Sequence, residues 1–107
     1  MSLQSTSTTA STVPTKGDIT ILIEDATGTA VLNTDIKAYV SRDGGTGWDQ
    51  GTLTHEGTWG TNKKVISFHD TTFSNSASGT DMRYKITTHN QSGSKETRIH
   101  ATSLAWS

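Results

Sequence analysis

The chain has 107 residues, no cysteine and one proline, and its 9 Lys and Arg nearly balance its 10 Asp and Glu. A chain of that length forms one domain, and its near-zero net charge excludes the basic surface that nucleic acid or an anionic membrane requires. Without cysteine it has no disulfide, thiolate metal site or thiol nucleophile. We expect neither membrane insertion nor a secretory signal, because no apolar run approaches the roughly 20 residues that cross a bilayer.

Apolar side chains are scarce. Leu, Ile, Val and Phe make up 18 of the 107 residues, whereas Ser and Thr make up 34. Such a composition is typical of disordered chains, but those usually carry a high net charge as well. Because Thr favours strands and Ser favours turns, the sequence predicts a folded all-β domain with a thin core. A thin core in turn predicts stabilisation by self-association or by a larger assembly.

The N-terminal segment, residues 1–17, is rich in Ser and Thr and contains the only proline. It has too few apolar side chains to offset the entropy lost on ordering. We therefore separate it, as a flexible linker or arm, from a domain that spans residues 18–107. Two alternatives remain open for it: a flexible tail, or an extended arm that docks on a neighbouring subunit.

Alternating apolar and polar side chains predict a series of short strands beyond this segment. In the first of them Ile19, Ile21 and Ile23 share one face, as in a half-buried strand. Residues 70–79 form a predicted loop anchored by Phe73, and residues 90–94 a predicted hairpin loop that joins the last two strands. The predicted strands cover residues 18–25, 35–42, 50–55, 63–69, 81–89 and 95–106.

The spacing of these strands predicts the fold class. Six to eight short antiparallel strands with regular turn signals are typical of a single β-sandwich or jelly-roll-like domain, here with an extended N-terminal arm. The chain shows no internal repeat of the length found in propellers and solenoids, so neither architecture is expected.

The most specific local pattern lies after the second predicted strand. Ser41, Asp43, Gly45 and Trp48 match the Asp-box spacing S-x-D-x-G-x-x-W, although Gly47 replaces the usual Thr before the tryptophan. In such a hairpin corner the aspartate accepts hydrogen bonds from turn amides and the tryptophan folds back over the turn. Sialidases carry the box once per propeller blade, away from the catalytic centre. The pattern therefore predicts a structural turn and does not imply sialidase activity.

Patterns for metal binding and catalysis are weak. The histidines show neither H-x-H nor H-E-x-x-H spacing, and no serine stands in a G-x-S-x-G elbow. Most of the carboxylates that could act as acid or base sit at predicted strand ends, where turn and capping roles are common. We therefore expect no enzyme activity, no metal and no cofactor. The histidines are His55, His69, His89 and His100, and the carboxylates are Asp43, Asp49, Glu56, Asp70 and Asp81.

Two groups of residues are candidates for ligand binding. Trp59 and Asn62 lie in a predicted loop of polar and glycine residues, where an aromatic ring can stack on a sugar while an amide bonds its hydroxyls. Arg83, Lys85 and Arg98 lie with His89 and His100 on the outward face of the last two predicted strands, where they would meet an anionic glycan, lipopolysaccharide or a partner subunit. The alternatives are a lid over the sandwich edge for Trp59 and an ordinary solvated face for the cations.

Three segments together carry a resemblance to a known group of proteins: residues 41–45 (SRDGG), 78–88 (SGTDMRYKITT) and 97–107 (TRIHATSLAWS). They resemble C-terminal β-modules that end large structural proteins of tailed phages and prophages. The resemblance implies a non-enzymatic virion structural module, a tail-fibre tip or capsid-associated appendage, assembled in the host cytoplasm and exposed on the virion. It brings no catalytic or ligand residues.

From the composition and this resemblance we expect a homo-oligomer, with a trimer favoured, that contacts a host-surface glycan or other virion proteins. The alternative function is a carbohydrate-binding module of a larger enzyme or adhesin.

Overall fold

The computed structural model describes residues 2–107, which form nine β-strands and no helix. Accordingly, no helix in this part of the chain is long and apolar enough to cross a membrane. The strands are β1 (Ser2–Gln4), β2 (Thr8–Thr9), β3 (Lys16–Thr27), β4 (Ile36–Ser41), β5 (Asp49–Gly51), β6 (Thr54–Gly60), β7 (Lys63–Thr72), β8 (Asp81–Thr88) and β9 (Glu96–Trp106).

The strands form two antiparallel sheets. In the first sheet the order is β1-β8-β4-β5, and β2 also pairs with β8. In the second sheet the order is β6-β7-β3-β9. Two antiparallel sheets that enclose one core confirm the predicted all-β sandwich.

The core lies between the sheets and follows the period of two that the strand segments predict. Along β3, Ile19, Ile21 and Ile23 are fully buried, while the side chains between them are half-buried on the outer face. Isoleucine and alanine dominate this core. The facing members include Ile66 and Phe68 of the second sheet and Ile36, Ala38, Val40, Met82 and Ile86 of the first.

Three details of the strand assignment were wrong. The predicted strand 50–55 is two strands, β5 and β6, that lie in different sheets. Trp59 lies within β6 and not in a loop. The last two strands do not form a hairpin, because β8 pairs with β4 in the first sheet whereas β9 pairs with β3 in the second.

The crossing between β8 and β9 has a physical cause. Asp35 at the start of β4 accepts hydrogen bonds from Asn90 Nδ2 at 2.8 Å and from Lys95 Nζ at 2.8 Å, which holds both ends of the connecting loop. On the second sheet, β9 then places its half-buried apolar side chains beside the isoleucines of β3, including Ile99 opposite Ile23. The connection therefore passes from one sheet to the other.

The N-terminal segment lies along the edge of the first sheet. Leu3 pairs with Ile86 of β8, and Ser5 continues the pairing because its N–H donates to the Tyr84 carbonyl at 3.0 Å and its Oγ accepts from the Tyr84 N–H at 2.9 Å. Ala10 is buried in the core. The division of the chain at residue 17, and docking of the arm on a neighbour, stay predictions.

Candidate functional site

The ligand-binding candidates separate onto two surfaces. Trp59, Asn62 and Arg98 belong to the second sheet and its β6–β7 turn, whereas Arg83 and Lys85 belong to β8 in the first sheet. Since β8 and β9 lie in different sheets, the structure does not bring these five residues together.

The indole of Trp59 is the best-defined aromatic group on the second sheet. It is 38% exposed, and its N–H donates to the Lys64 carbonyl at 3.1 Å, which fixes the ring on the strand. The Lys63 ammonium lies 4.9 Å from the ring centroid, and the His100 ring meets it edge-on at 5.0 Å. Cation–π and edge-to-face contacts of this kind hold a ring in one orientation. We call Trp59, Lys63, His100 and Glu24 the Trp59 patch.

Two members of the Trp59 patch, Glu24 and His100, are bonded to each other. His100 Nε2 lies 2.8 Å from Glu24 Oε1, and this hydrogen bond is the main cause that lowers the pKa of Glu24. Burial opposes the shift, and the positive charges of Lys63 and Arg98 add to it. Glu24 is therefore an ionised acceptor at neutral pH, joined to the exposed Trp59 ring through His100.

Asn62 serves the turn between β6 and β7. Its φ of 58° lies in the left-handed region, which asparagine tolerates better than most residues. Its carbonyl accepts a hydrogen bond from the Asp25 N–H at 2.8 Å, and the Asp25 carboxylate is paired with Lys64 Nζ at 2.9 Å. The side-chain amide of Asn62 remains exposed beside the patch.

On the first sheet, Lys85 lies between two aromatic rings. Its ammonium is 4.6 Å from the Tyr39 centroid and 4.7 Å from the Trp48 centroid. The neighbouring Arg83 is paired with Asp81 at 3.5 Å. The cations predicted to meet an anion are thus already engaged within the chain.

The Asp-box-like turn is built around the Asp43 carboxylate. This group accepts hydrogen bonds from Ser41 Oγ at 2.7 Å, from the Gly47 N–H at 2.9 Å and from the Ala77 N–H at 2.9 Å. Gly45 has a φ of 88°, and a Cβ on it would lie 3.0 Å from Cζ2 of Trp48, so the tryptophan packs closely on the turn. Burial raises the pKa of Asp43, but these hydrogen bonds outweigh it and leave the pKa below its usual value.

Asp49 anchors the loop between β7 and β8. The carboxylate is 2% exposed and accepts hydrogen bonds from the backbone N–H groups of Ser74, Asn75 and Ser76 at 2.9, 2.7 and 3.1 Å. Burial opposes ionisation, yet these donors hold the pKa of Asp49 below its usual value. The partners lie 25 or more residues away in the sequence, so no local motif reveals this anchor.

Arg42 is a second long-range anchor that sequence reasoning missed. Its guanidinium donates to the Pro14 carbonyl at 2.8 Å and to the Phe73 and Ser76 carbonyls at 3.4 Å. It also lies 5.5 Å from the centroid of the Phe73 ring. One side chain thereby ties the segment before β3 to the loop after β7.

The four histidines lie on or next to different strands: His55 on β6, His69 on β7, His89 directly after β8 and His100 on β9. His69 lies 3.1 Å from Ser67 Oγ, and His89 lies 2.9 Å from Thr87 Oγ1, while His100 belongs to the Trp59 patch. His89 and His100 are not brought together, because their strands belong to different sheets. Within residues 2–107 no group of three or more His, Asp or Glu side chains is arranged to hold a metal ion.

Comparison with known proteins adds no relative: no family model, no curated protein and no solved structure matches this chain. The resemblance to phage modules accordingly depends on the three sequence segments alone.

Proposed function

We propose that this chain is a non-enzymatic structural module of a virion appendage, a tail-fibre tip or capsid-associated knob, that assists attachment to the host surface. The observation that carries the proposal is that several of its charged side chains form hydrogen bonds with loops of the same chain. Asp35, Asp43 and Asp49 each accept several hydrogen bonds from loops, and Arg42 donates to three carbonyls. Strand-end carboxylates that are candidates for chemistry thus hold a scaffold in shape.

The position of the N-terminal segment supports the same proposal. Residues 2–10 run beside β8 along the edge of the first sheet, and the next residues lead across to β3 in the other sheet. A leader that lies along one edge of a compact domain suits a module displayed at the end of a longer shaft. Self-association of such modules, with the trimer favoured, would add stability that a thin core lacks.

The test compares residues 1–107 with a chain that begins at Gly17, using size-exclusion chromatography with light scattering. If both chains are trimers, the interface lies in the sandwich. If the chain that begins at Gly17 loses the trimer but still folds by circular dichroism without β1, β2 and buried Ala10, the interface lies in the leader. The attachment role is tested with labelled protein on lipopolysaccharide vesicles. A stable monomer at high concentration that does not bind these vesicles would contradict the proposal.

A second candidate function is carbohydrate binding at the Trp59 patch. It is favoured by an exposed indole that a hydrogen bond fixes and that contacts His100, which is in turn bonded to the ionised Glu24, while the exposed Asn62 lies in the turn after β6. Because Lys63 lies over the ring, a sugar that stacks there must displace its ammonium. A glycan array compares wild type with Trp59→Ala and with Val31→Ala, which removes a different exposed apolar side chain. Binding that both variants retain equally removes this candidate.

A further inference from the structure

The edges of the two sheets differ in length and protection. Among the described residues, β1, β2 and β5 have three residues or fewer, and β6 has seven residues interrupted by two register shifts. β1 and β2 lie along the same edge of the first sheet, so the two sheets have four edges. The remaining edge is β9, which runs for eleven residues. Folded proteins usually keep edge strands short, bulged, charged or covered, because an open strand edge pairs with other chains. β9 is the exception here.

Only the first half of β9 has charged side chains and a shift in register. Glu96 and Arg98 are charged, and the register with β3 shifts next to His100. The second half, residues 101–107, contains no charged side chain and no proline. Its pairing with β3 is continuous from Ala101 to Trp106. This half presents a regular, uncharged strand edge.

The hydrogen bonds at the end of β9 show which backbone groups are free. Ser107 and Lys16 exchange both bonds, at 3.0 and 3.2 Å, so their N–H and C=O groups face each other. Because such pairs alternate along an antiparallel ladder, Ser103 and Ala105 also direct their backbone groups to β3. The N–H and C=O groups of the alternate residues therefore point to the open edge; these residues are Thr102, Leu104 and Trp106.

We propose that this edge pairs with the same edge of a second copy of the chain, antiparallel, with Leu104 on the two-fold axis. In this register residues 101–107 meet the same residues of the second copy, so no charged side chain is desolvated or opposed. The residues whose N–H and C=O groups point to the open edge then lie opposite each other. Leu104 lies opposite Leu104 of the second copy, and Thr102 lies opposite Trp106. With two bonds for each of these three pairs, the contact forms about six hydrogen bonds.

The side chains fit the same register. Leu104 and Trp106 pack against the core but are only half-buried, because β9 has no strand beyond it. A second β9 would cover them and join two four-stranded sheets into one. The paired edge alone buries less than the roughly 1,200 Å² of a standard stable interface, so we expect a weak, concentration-dependent dimer. This contact has two-fold symmetry and cannot close a trimer by itself; it stands on the edge geometry and does not require the proposed attachment role.

Cysteine crosslinking tests the proposal cleanly, since the chain has no cysteine of its own. Ser103 lies opposite Ala105 across the axis, in a pair whose backbone groups face away and whose Cβ atoms approach closely. An equimolar mixture of S103C and A105C, oxidised with copper phenanthroline, is expected to give several times more disulfide-linked dimer than either variant alone. The control is T58C, an exposed position on β6 at the other edge of the sheet.

A second variant separates pairing from folding. The Thr102 N–H points to the open edge, so Thr102→Pro removes no bond to β3 while blocking a partner strand. Added to both cysteine variants, it is expected to abolish the extra crosslinking and leave the circular dichroism spectrum unchanged. Crosslinking of the mixture no greater than that of T58C would overturn the proposal. Crosslinking of S103C alone as strong as that of the mixture would overturn the register centred on Leu104.

Discussion

Gly51 of β5 lies against the ring of Phe68 in the other sheet, and replacing it with alanine tests the packing of the sandwich. A Cβ at this position would lie 2.3 Å from Cγ and Cδ2 of Phe68 and 2.5 Å from Cδ1. Phe68 is 3% exposed and packs among other core side chains, so its ring has little room to move. The added methyl group must therefore push β5 away from β7 or force the ring out of its preferred rotamer.

Overpacking of this kind costs about 1–3 kcal/mol in the free energy of unfolding. For a domain of about 100 residues this corresponds to a fall in Tm of about 5–20 °C. The matched control is Gly57→Ala on β6, where nothing lies within 4 Å of the added Cβ. Because glycine weakens a strand interior, Gly57→Ala is expected to leave Tm unchanged or raise it slightly.

Thermal unfolding followed by circular dichroism measures both variants, and a double variant identifies the cause. Phe68→Ala removes the Cγ, Cδ1 and Cδ2 atoms that the methyl group meets, so Gly51→Ala should cost less in that background than in the wild type. If Gly51→Ala has the same Tm as the wild type, or costs the same in the Phe68→Ala background as in the wild type, the close contact between β5 and β7 does not limit packing and the reasoning is refuted.

Two further predictions concern the carboxylate anchors. Asp49→Ala leaves the buried N–H of Ser76 unpaired, and we expect a loss of about 2–4 kcal/mol in urea unfolding, with faster proteolysis within residues 73–79; unchanged proteolysis would contradict the anchoring role. Asp35, Asp43 and Asp49 have lowered pKa values in the folded chain. Their contribution to the free energy of unfolding is therefore complete above the pKa of the unfolded chain, about 3.9, and is lost as the pH falls below it. Urea midpoints should be level from pH 7 to about pH 5 and fall towards pH 3, and a midpoint independent of pH would contradict the anchors.

The strands that sequence alone predicts are those whose pattern is local. Alternation along β3, β4 and β8 identifies the buried faces, because side chains two residues apart share a face of any strand. The order of the strands is not local. It depends on contacts such as that between Asp35 and Lys95, which are 60 residues apart, and no pattern within one segment reveals such a pairing.

Trp59 shows why the candidate site was only partly predictable. Gly57 and Gly60 suggested a loop, because glycine is depleted in regular strands. At the edge of a sheet, however, register shifts accommodate glycine, and β6 shifts between His55 and Gly57 and again between Thr58 and Gly60. The aromatic residue and the exposed Asn62 were therefore found from their types, while the neighbours His100 and Lys63 follow only from the fold.

The scarcity of apolar side chains and the number of anchored carboxylates belong together. A sandwich whose core consists mainly of isoleucine and alanine buries little area for each residue, so its loops gain little from apolar contacts. Asp35, Asp43 and Asp49 hold three loops by charge-assisted hydrogen bonds, which are about twice as strong as neutral ones. The aspartates at strand ends thus replace part of the missing apolar packing, and in sequences of this composition such aspartates should first be examined as loop anchors.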